Sequence, residues 1–113
     1  MRTNGDIREA LAATRNDPVQ AEAQYGPIEE WLVGEVTDMN ELFAGMDEFN
    51  KDISRWDVGN VTNISRMFLG ARSFNQPLGG WNVGNVTDMR HMFDGASSFN
   101  QPLVDGMWAM SLI

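Results

Sequence analysis

Apolar residues recur along this chain on two scales, one of three to four residues and one of 25. Near the start, Ile7, Ala10, Leu11 and Thr14 share a face of a helix predicted over residues 6–16, with Asp6 as its cap. Asp17-Pro18 signals a second helical stretch that runs to Gln24, and Tyr25-Gly26-Pro27 breaks it. The longer period then takes over. Trp31, Trp56 and Trp81 fall 25 residues apart, and the text around them repeats. Residues 56–80 and 81–105 agree at 16 of 25 positions, and residues 31–55 agree with 56–80 at 9. A period in this range marks a stacked repeat, because one such unit cannot bury its own apolar face.

Each unit predicts a short helix, a loop and a short strand. Val86, Met89, Met92 and Phe93 have helix-like spacing, Thr87-Asp88 suits the helix start, and Gly95 suits a left-handed end. Val61, Ile64, Met67, Phe68 and Gly70 repeat the pattern, as do Val36, Met39, Leu42, Phe43 and Gly45. A turn-like stretch, 96–102, follows the third of these. Around Leu78 to Val83, Trp81 and Val83 alternate with Asn82, with Pro77 at the start where a missing N–H is tolerated. Stacked strands of this kind lie ~4.8 Å apart in a parallel ladder. The expected organisation is a helical N-terminal cap over 1–30, repeats at 31–55, 56–80 and 81–105, and an apolar tail or partial cap at 106–113.

The string W-x-V-x-N-V-T-x-M-x-x-M-F-x-G-A-x-x-F-N-Q-x-L over residues 31–105 resembles the BspA-type leucine-rich repeat, also known as the DUF285 repeat. The resemblance implies an α/β fold: a short right-handed leucine-rich-repeat-like solenoid of three coils. It also implies a surface or interaction protein with no catalytic residues to carry over, at the cell surface or outside the cell.

Charge narrows the partners. The chain carries a formal −8 with a pI near 4.4, which argues against binding to nucleic-acid phosphates or anionic lipid. The excess is local: residues 1–30 carry −3 and 31–55 carry −4, against +1 for 56–80 and −2 for 81–105. That acidic start could hold a weak Ca²⁺ or a basic partner; a solvated face is the simpler expectation. No apolar run approaches the ~20 residues of a membrane span. Met1–Asp6 is polar and lacks a signal-peptide core, so the chain is either made without export or begins after a removed leader. With no Cys there is no disulfide, thiolate metal site or cysteine nucleophile.

No constellation in the sequence assembles catalysis. His91 is the one His, stands beside Arg90, and shows no pairing with a Ser or Cys in the sequence, which makes it a poor general base. No metal-binding or phosphate-binding motif is present, and no cofactor is expected. Asn60, Asn63 and Asn85 open N-x-S/T triplets, two of them copies of the repeat. The Trp, Phe and Met positions are expected as core columns, Asn50, Asn75 and Asn100 as an inward ladder serving loop backbone, and Thr37, Thr62 and Thr87 as helix caps. Positions that vary while their neighbours repeat are candidates for contact with a protein partner: Asn40, Glu41, Ser65, Arg66, Arg90 and His91. The sequence thus predicts a non-catalytic recognition module. The alternative is a structural subunit that associates, with itself or another chain, through an apolar end formed by Met107, Trp108, Met110, Leu112 and Ile113.

Overall fold

A computed structural model describes residues 1–103. Helix α1 spans Asn4–Asn16 and helix α2 spans Pro18–Tyr25, with one 3-10 turn at Ile28–Glu30. The cap of α1 is Thr3 rather than Asp6: the Asp6 N–H donates to Thr3 Oγ1 at 3.2 Å, and Asp6 lies in the first turn, where its charge faces the positive helix end. Asp17 caps α2 through the Gln20 N–H, and Gly26 closes it at φ 83. Ile7, Ala10 and Leu11 are buried, and these place α1 against the first repeat. Among the described residues, no helix is long and apolar enough to cross a membrane.

The repeats overturn the leucine-rich-repeat expectation. Within 31–103 there is no helix, and the only strand-like pairings are the isolated parallel bridges Asp38↔Asn63 and Asn63↔Asp88. The expected helix is interrupted by Glu41, Arg66 and His91, which sit at φ 57, 54 and 55. A left-handed residue in mid-segment cannot continue a right-handed helix. The expected strand around 78–83 carries no bridge. Thr37, Thr62 and Thr87 cap nothing; the Thr62 and Thr87 hydroxyls donate to the Thr37 and Thr62 carbonyls of the preceding unit, at 3.2 Å each.

In place of helix and strand, each unit is a chain of tight turns that begin and end on core residues. The N–H groups of Val36, Leu42, Met46, Phe49 and Trp56 donate to the carbonyls of Val33, Met39, Phe43, Met46 and Ile53, three residues back. Alternate N–H groups leave the unit. Met39, Glu41, Phe43 and Gly45 donate to Asn63, Ser65, Met67 and Leu69 at 2.7–3.0 Å. Ile64, Arg66, Phe68 and Gly70 donate in the same register to Asp88, Arg90, Met92 and Asp94. The backbone is therefore satisfied half within a unit and half between units, and no sheet is needed. Gly45, Gly70 and Gly95 are left-handed and stacked; a Cβ on Gly95 would lie 3.3 Å from the Gly70 Cα.

Repetition turns each apolar position into a column. Phe43, Phe68 and Phe93 stack at 5.5 and 5.7 Å between ring centroids, and Phe49, Phe74 and Phe99 at 5.8 and 5.9 Å. Within a unit the two columns touch at 4.2–4.3 Å. Each such aromatic pair contributes ~0.5–1.5 kcal/mol beyond the area it buries. The Trp column is buried with its polar atom satisfied: the Trp56 and Trp81 Nε1–H groups donate to the Ile28 and Ile53 carbonyls at 2.9 and 3.1 Å. Ile28 thus serves the Trp of the second unit as Ile53 serves that of the third. The Asn column is not inward. Asn50 and Asn100 are exposed and Asn75 half-buried, and the Asn50 and Asn75 side chains serve the next unit. Asn50 Oδ1 accepts from the Asn75 N–H at 2.8 Å, and Asn75 Oδ1 from the Asn100 N–H at 2.9 Å.

Helix α1 closes the start of the stack by imitating a preceding unit. Asn4 Oδ1 accepts from the Thr37 and Asp38 N–H groups at 2.9 and 3.3 Å. Further on, the Thr62 carbonyl accepts from Thr87 and Asp88 at 2.8 and 3.3 Å. The first unit's outward carbonyls have no earlier N–H groups to meet. Arg8 donates instead to the Asp38 carbonyl at 3.4 Å, and Arg15 to those of Leu42 and Ala44 at 3.2 and 3.1 Å.

Candidate functional site

The six variable positions form two columns with different fates. Asn40, Ser65 and Arg90 make one. Ser65 is only 2% exposed, which corrects its reading as a contact residue. Asn40 Nδ2 donates to the Ser65 carbonyl at 3.0 Å and to its Oγ at 2.6 Å, so this pair is spent on holding two units together. Arg90 folds back onto Asp88, Nε to Oδ1 at 3.1 Å. Glu41, Arg66 and His91 make the second column, at the left-handed position. His91 Nδ1 lies 2.8 Å from Asp94 Oδ2, while Glu41 and Arg66 have no side-chain partner among the described residues. Met107, Trp108, Met110, Leu112 and Ile113 lie outside the described residues.

A concave feature lies elsewhere, where α1 and α2 meet residues 45–51. It is a groove of about 730 Å³, within the size range of ligand-binding clefts. Its floor is Ile28, Trp31, Met46 and Phe49. The α2 wall supplies Pro18, Val19 and Glu22, and Val19 stands 82% exposed at the lip. The groove exists because the cap imitates a preceding unit only in part. Asn4, Arg8 and Arg15 cover the backbone edge at 37–44, and Tyr25 and the Arg2 guanidinium pack on the Trp31 ring at 6.5 and 5.6 Å. Even so, Ile28, Trp31 and Phe49, the first members of their columns, stay slightly more exposed than their counterparts one unit on. These three are 8, 7 and 8% exposed, whereas Ile53, Trp56 and Phe74, one unit on, are 0, 3 and 0% exposed.

The rim is acidic. Glu22, Glu29, Asp47 and Glu48 line the groove, and none makes an ion pair among the described residues. Against them stand Arg15, already bonded to two carbonyls, and Lys51. Four carboxylates around a low-dielectric floor attract a cation more strongly than the same charges scattered in water. Among the described residues no group of three or more His, Cys, Asp or Glu side chains converges as a metal site.

The sequence pattern held a signal for this groove that repeat matching passed over. Met46-Asp47-Glu48 and Lys51 stand where the later units have Ala71-Arg72-Ser73 and Gln76, or Ala96-Ser97-Ser98 and Gln101. The first unit departs from the repeat where it faces the helices.

No curated protein and no solved structure matches the chain. A family model does match, over residues 13–112, which takes in the end of α1, all of α2 and the repeats. Its description names no leucine-rich repeat and no activity, and the chain belongs to that family, Mycoplasma protein of unknown function, DUF285.

Proposed function

We propose that this chain is a non-catalytic protein-interaction module, and that the groove between α1–α2 and residues 45–51 receives an extended segment of a partner protein. The segment carries basic side chains beside an apolar anchor. One observation carries the reading: the first members of three core columns, slightly more exposed than those one unit on, line a cleft that also carries four carboxylates without an ion pair among the described residues. An apolar anchor on Trp31 and Phe49 supplies affinity by leaving water. Basic neighbours facing Glu22, Glu29, Asp47 and Glu48 supply orientation and speed of encounter, and this part weakens with salt. The groove is preformed between packed elements, so binding does not have to order it first.

Selection from a random peptide library tests the proposal, run in parallel on the full chain and on its Asp47→Lys/Glu48→Lys variant. Both substitutions are at exposed positions outside the core. The expected result is a set of basic, apolar-anchored peptides that bind the parent and lose at least tenfold in affinity on the variant. An empty selection, or binders indifferent to the variant and to salt, would refute the reading.

A further inference from the structure

The stack itself shows what the columns accept. Phe74-Asn75 sits on Phe49-Asn50, and Phe99-Asn100 sits on Phe74-Asn75, in the same way. In each case a ring stacks at 5.8–5.9 Å, within 8° of parallel. The incoming Asn N–H meets the Oδ1 of the Asn before it. The following Gln reaches back: Gln76 Nε2 donates to the Asn50 carbonyl at 3.0 Å, and Gln101 Nε2 to Asn75 Oδ1 at 3.1 Å.

Followed toward the chain start, this series stops in the groove. Phe49 stacks on Phe43 at 4.3 Å and on Phe74 at 5.8 Å, lacks the third ring neighbour that Phe74 has, and lines the cleft with 8% of its surface exposed. The Asn50 N–H has no acceptor among the described residues. Lys51 occupies the position of Gln76 and Gln101, so a donor is again present to reach back one unit. Asp47 occupies the position of Arg72, two residues before the aromatic.

We infer that the groove selects the motif basic-x-aromatic-Asn in its partner. The aromatic ring stacks on Phe49 and the Asn side-chain oxygen accepts from the Asn50 N–H. Lys51 Nζ donates to the carbonyl of that guest Asn, and the basic side chain two residues earlier lies over Asp47. This rests on the groove being an interaction site and specifies its ligand. The motif is the one the molecule already uses between its own units, Arg72-Ser73-Phe74-Asn75. The ring and Asn contacts therefore repeat a geometry the stack already uses, and the basic residue is placed by charge opposite Asp47, where the third unit has Ser97.

The probe is an acetylated, amidated heptapeptide copying residues 71–77, Ala-Arg-Ser-Phe-Asn-Gln-Pro, titrated into the isotope-labelled full chain. The expected result is saturable shifts of the Asn50 and Lys51 backbone amides and of the Trp31 indole N–H. Peptides carrying Phe74→Ala or Asn75→Ala, numbered by the residues they copy, should bind about tenfold more weakly. Arg72→Glu in the peptide should weaken binding similarly, and Asp47→Lys in the protein should abolish that preference for Arg while leaving the dependence on Phe. If Asn50 does not shift, or the substituted peptides bind equally, the inference fails. Should the library yield groove binders that lack an aromatic-Asn pair, the interaction reading stands and this motif falls. Without any groove-dependent binder, both fall.

Discussion

Replacing Arg66 with Gly distinguishes a chain of turns from a helix by the sign of its effect. Arg66 holds φ 54, donates its N–H to the Arg90 carbonyl at 3.0 Å and accepts from the Leu69 N–H at 3.1 Å. These are backbone bonds and survive the loss of the side chain, which makes no hydrogen bond or ion pair among the described residues. A non-glycine residue in the left-handed region costs ~1–2 kcal/mol. Glycine removes that strain but gives back ~0.5–1 kcal/mol through the greater freedom of the unfolded chain. The net expectation is a stabilisation of ~0.5–1 kcal/mol, or a rise of about 2–4 °C in Tm for a chain of this size. In a helix, the same substitution would destabilise by ~1 kcal/mol. Thermal unfolding followed by circular dichroism reads the difference. Arg66→Asn should also gain, and Arg66→Val should lose, because a β-branched residue tolerates positive φ least. A fall in Tm for Arg66→Gly would refute the left-handed assignment, and with it the account of why no helix forms.

Three further outcomes follow from the packing and the cap. Phe74→Ala removes a fully buried ring from between Phe49 and Phe99 and should cost ~3–5 kcal/mol in urea unfolding, with Phe99→Ala, half-buried, costing clearly less. Equal losses at the two positions would contradict the column. Arg15→Met keeps an apolar stem but leaves the Leu42 and Ala44 carbonyls without their donor. It should cost ~1 kcal/mol, the bonds being only partly buried, and an unchanged urea midpoint would show that the arginine does not close the stack. The Ser54 hydroxyl and then its backbone N–H hold the Asp52 carboxyl below its ordinary value of 3.8. Because the folded value is the lower one, the stabilisation is fully present above about 3.8 and is lost as pH falls through the folded value. Ser54→Ala should move the Asp52 titration midpoint upward in a carboxyl-carbon NMR titration, and a static midpoint would remove the hydroxyl from the account.

What could be read from the sequence was what repetition itself enforces. Identical residues 25 apart must lie above one another once units stack, so the Trp and Phe columns were visible in the text. Local conformation was not. Val36, Met39 and Leu42 are three residues apart, a spacing that a helix and a string of tight turns both satisfy. The residue that decides between them, Glu41, carries no sign of its left-handed φ, since neither it nor Arg66 nor His91 is Gly or Asn. Ser65 looked exposed because its position differs from unit to unit, yet Asn40, at the same position one unit earlier, is its hydrogen-bond partner. The start of α1 was displaced because Thr3 and Asp6 are both good caps, and the choice depends on which N–H groups remain free. The groove depends on how far α1 and α2 fall short of a full unit. That is a tertiary quantity, and only the departures at 46–48 and 51 hinted at it.

The substitute contacts made by α1 have a consequence for how such genes can change. Asn4, Arg8 and Arg15 touch the backbone of the first unit between Thr37 and Ala44, and nothing in these contacts depends on how many units follow. Unequal crossing-over that duplicated residues 56–80 would leave every one of them intact. It would join like to like, since each unit offers its successor the same N–H register it received. Repeat number is therefore free to drift by whole copies while the helical start, and the acidic cleft beside it, are inherited unchanged.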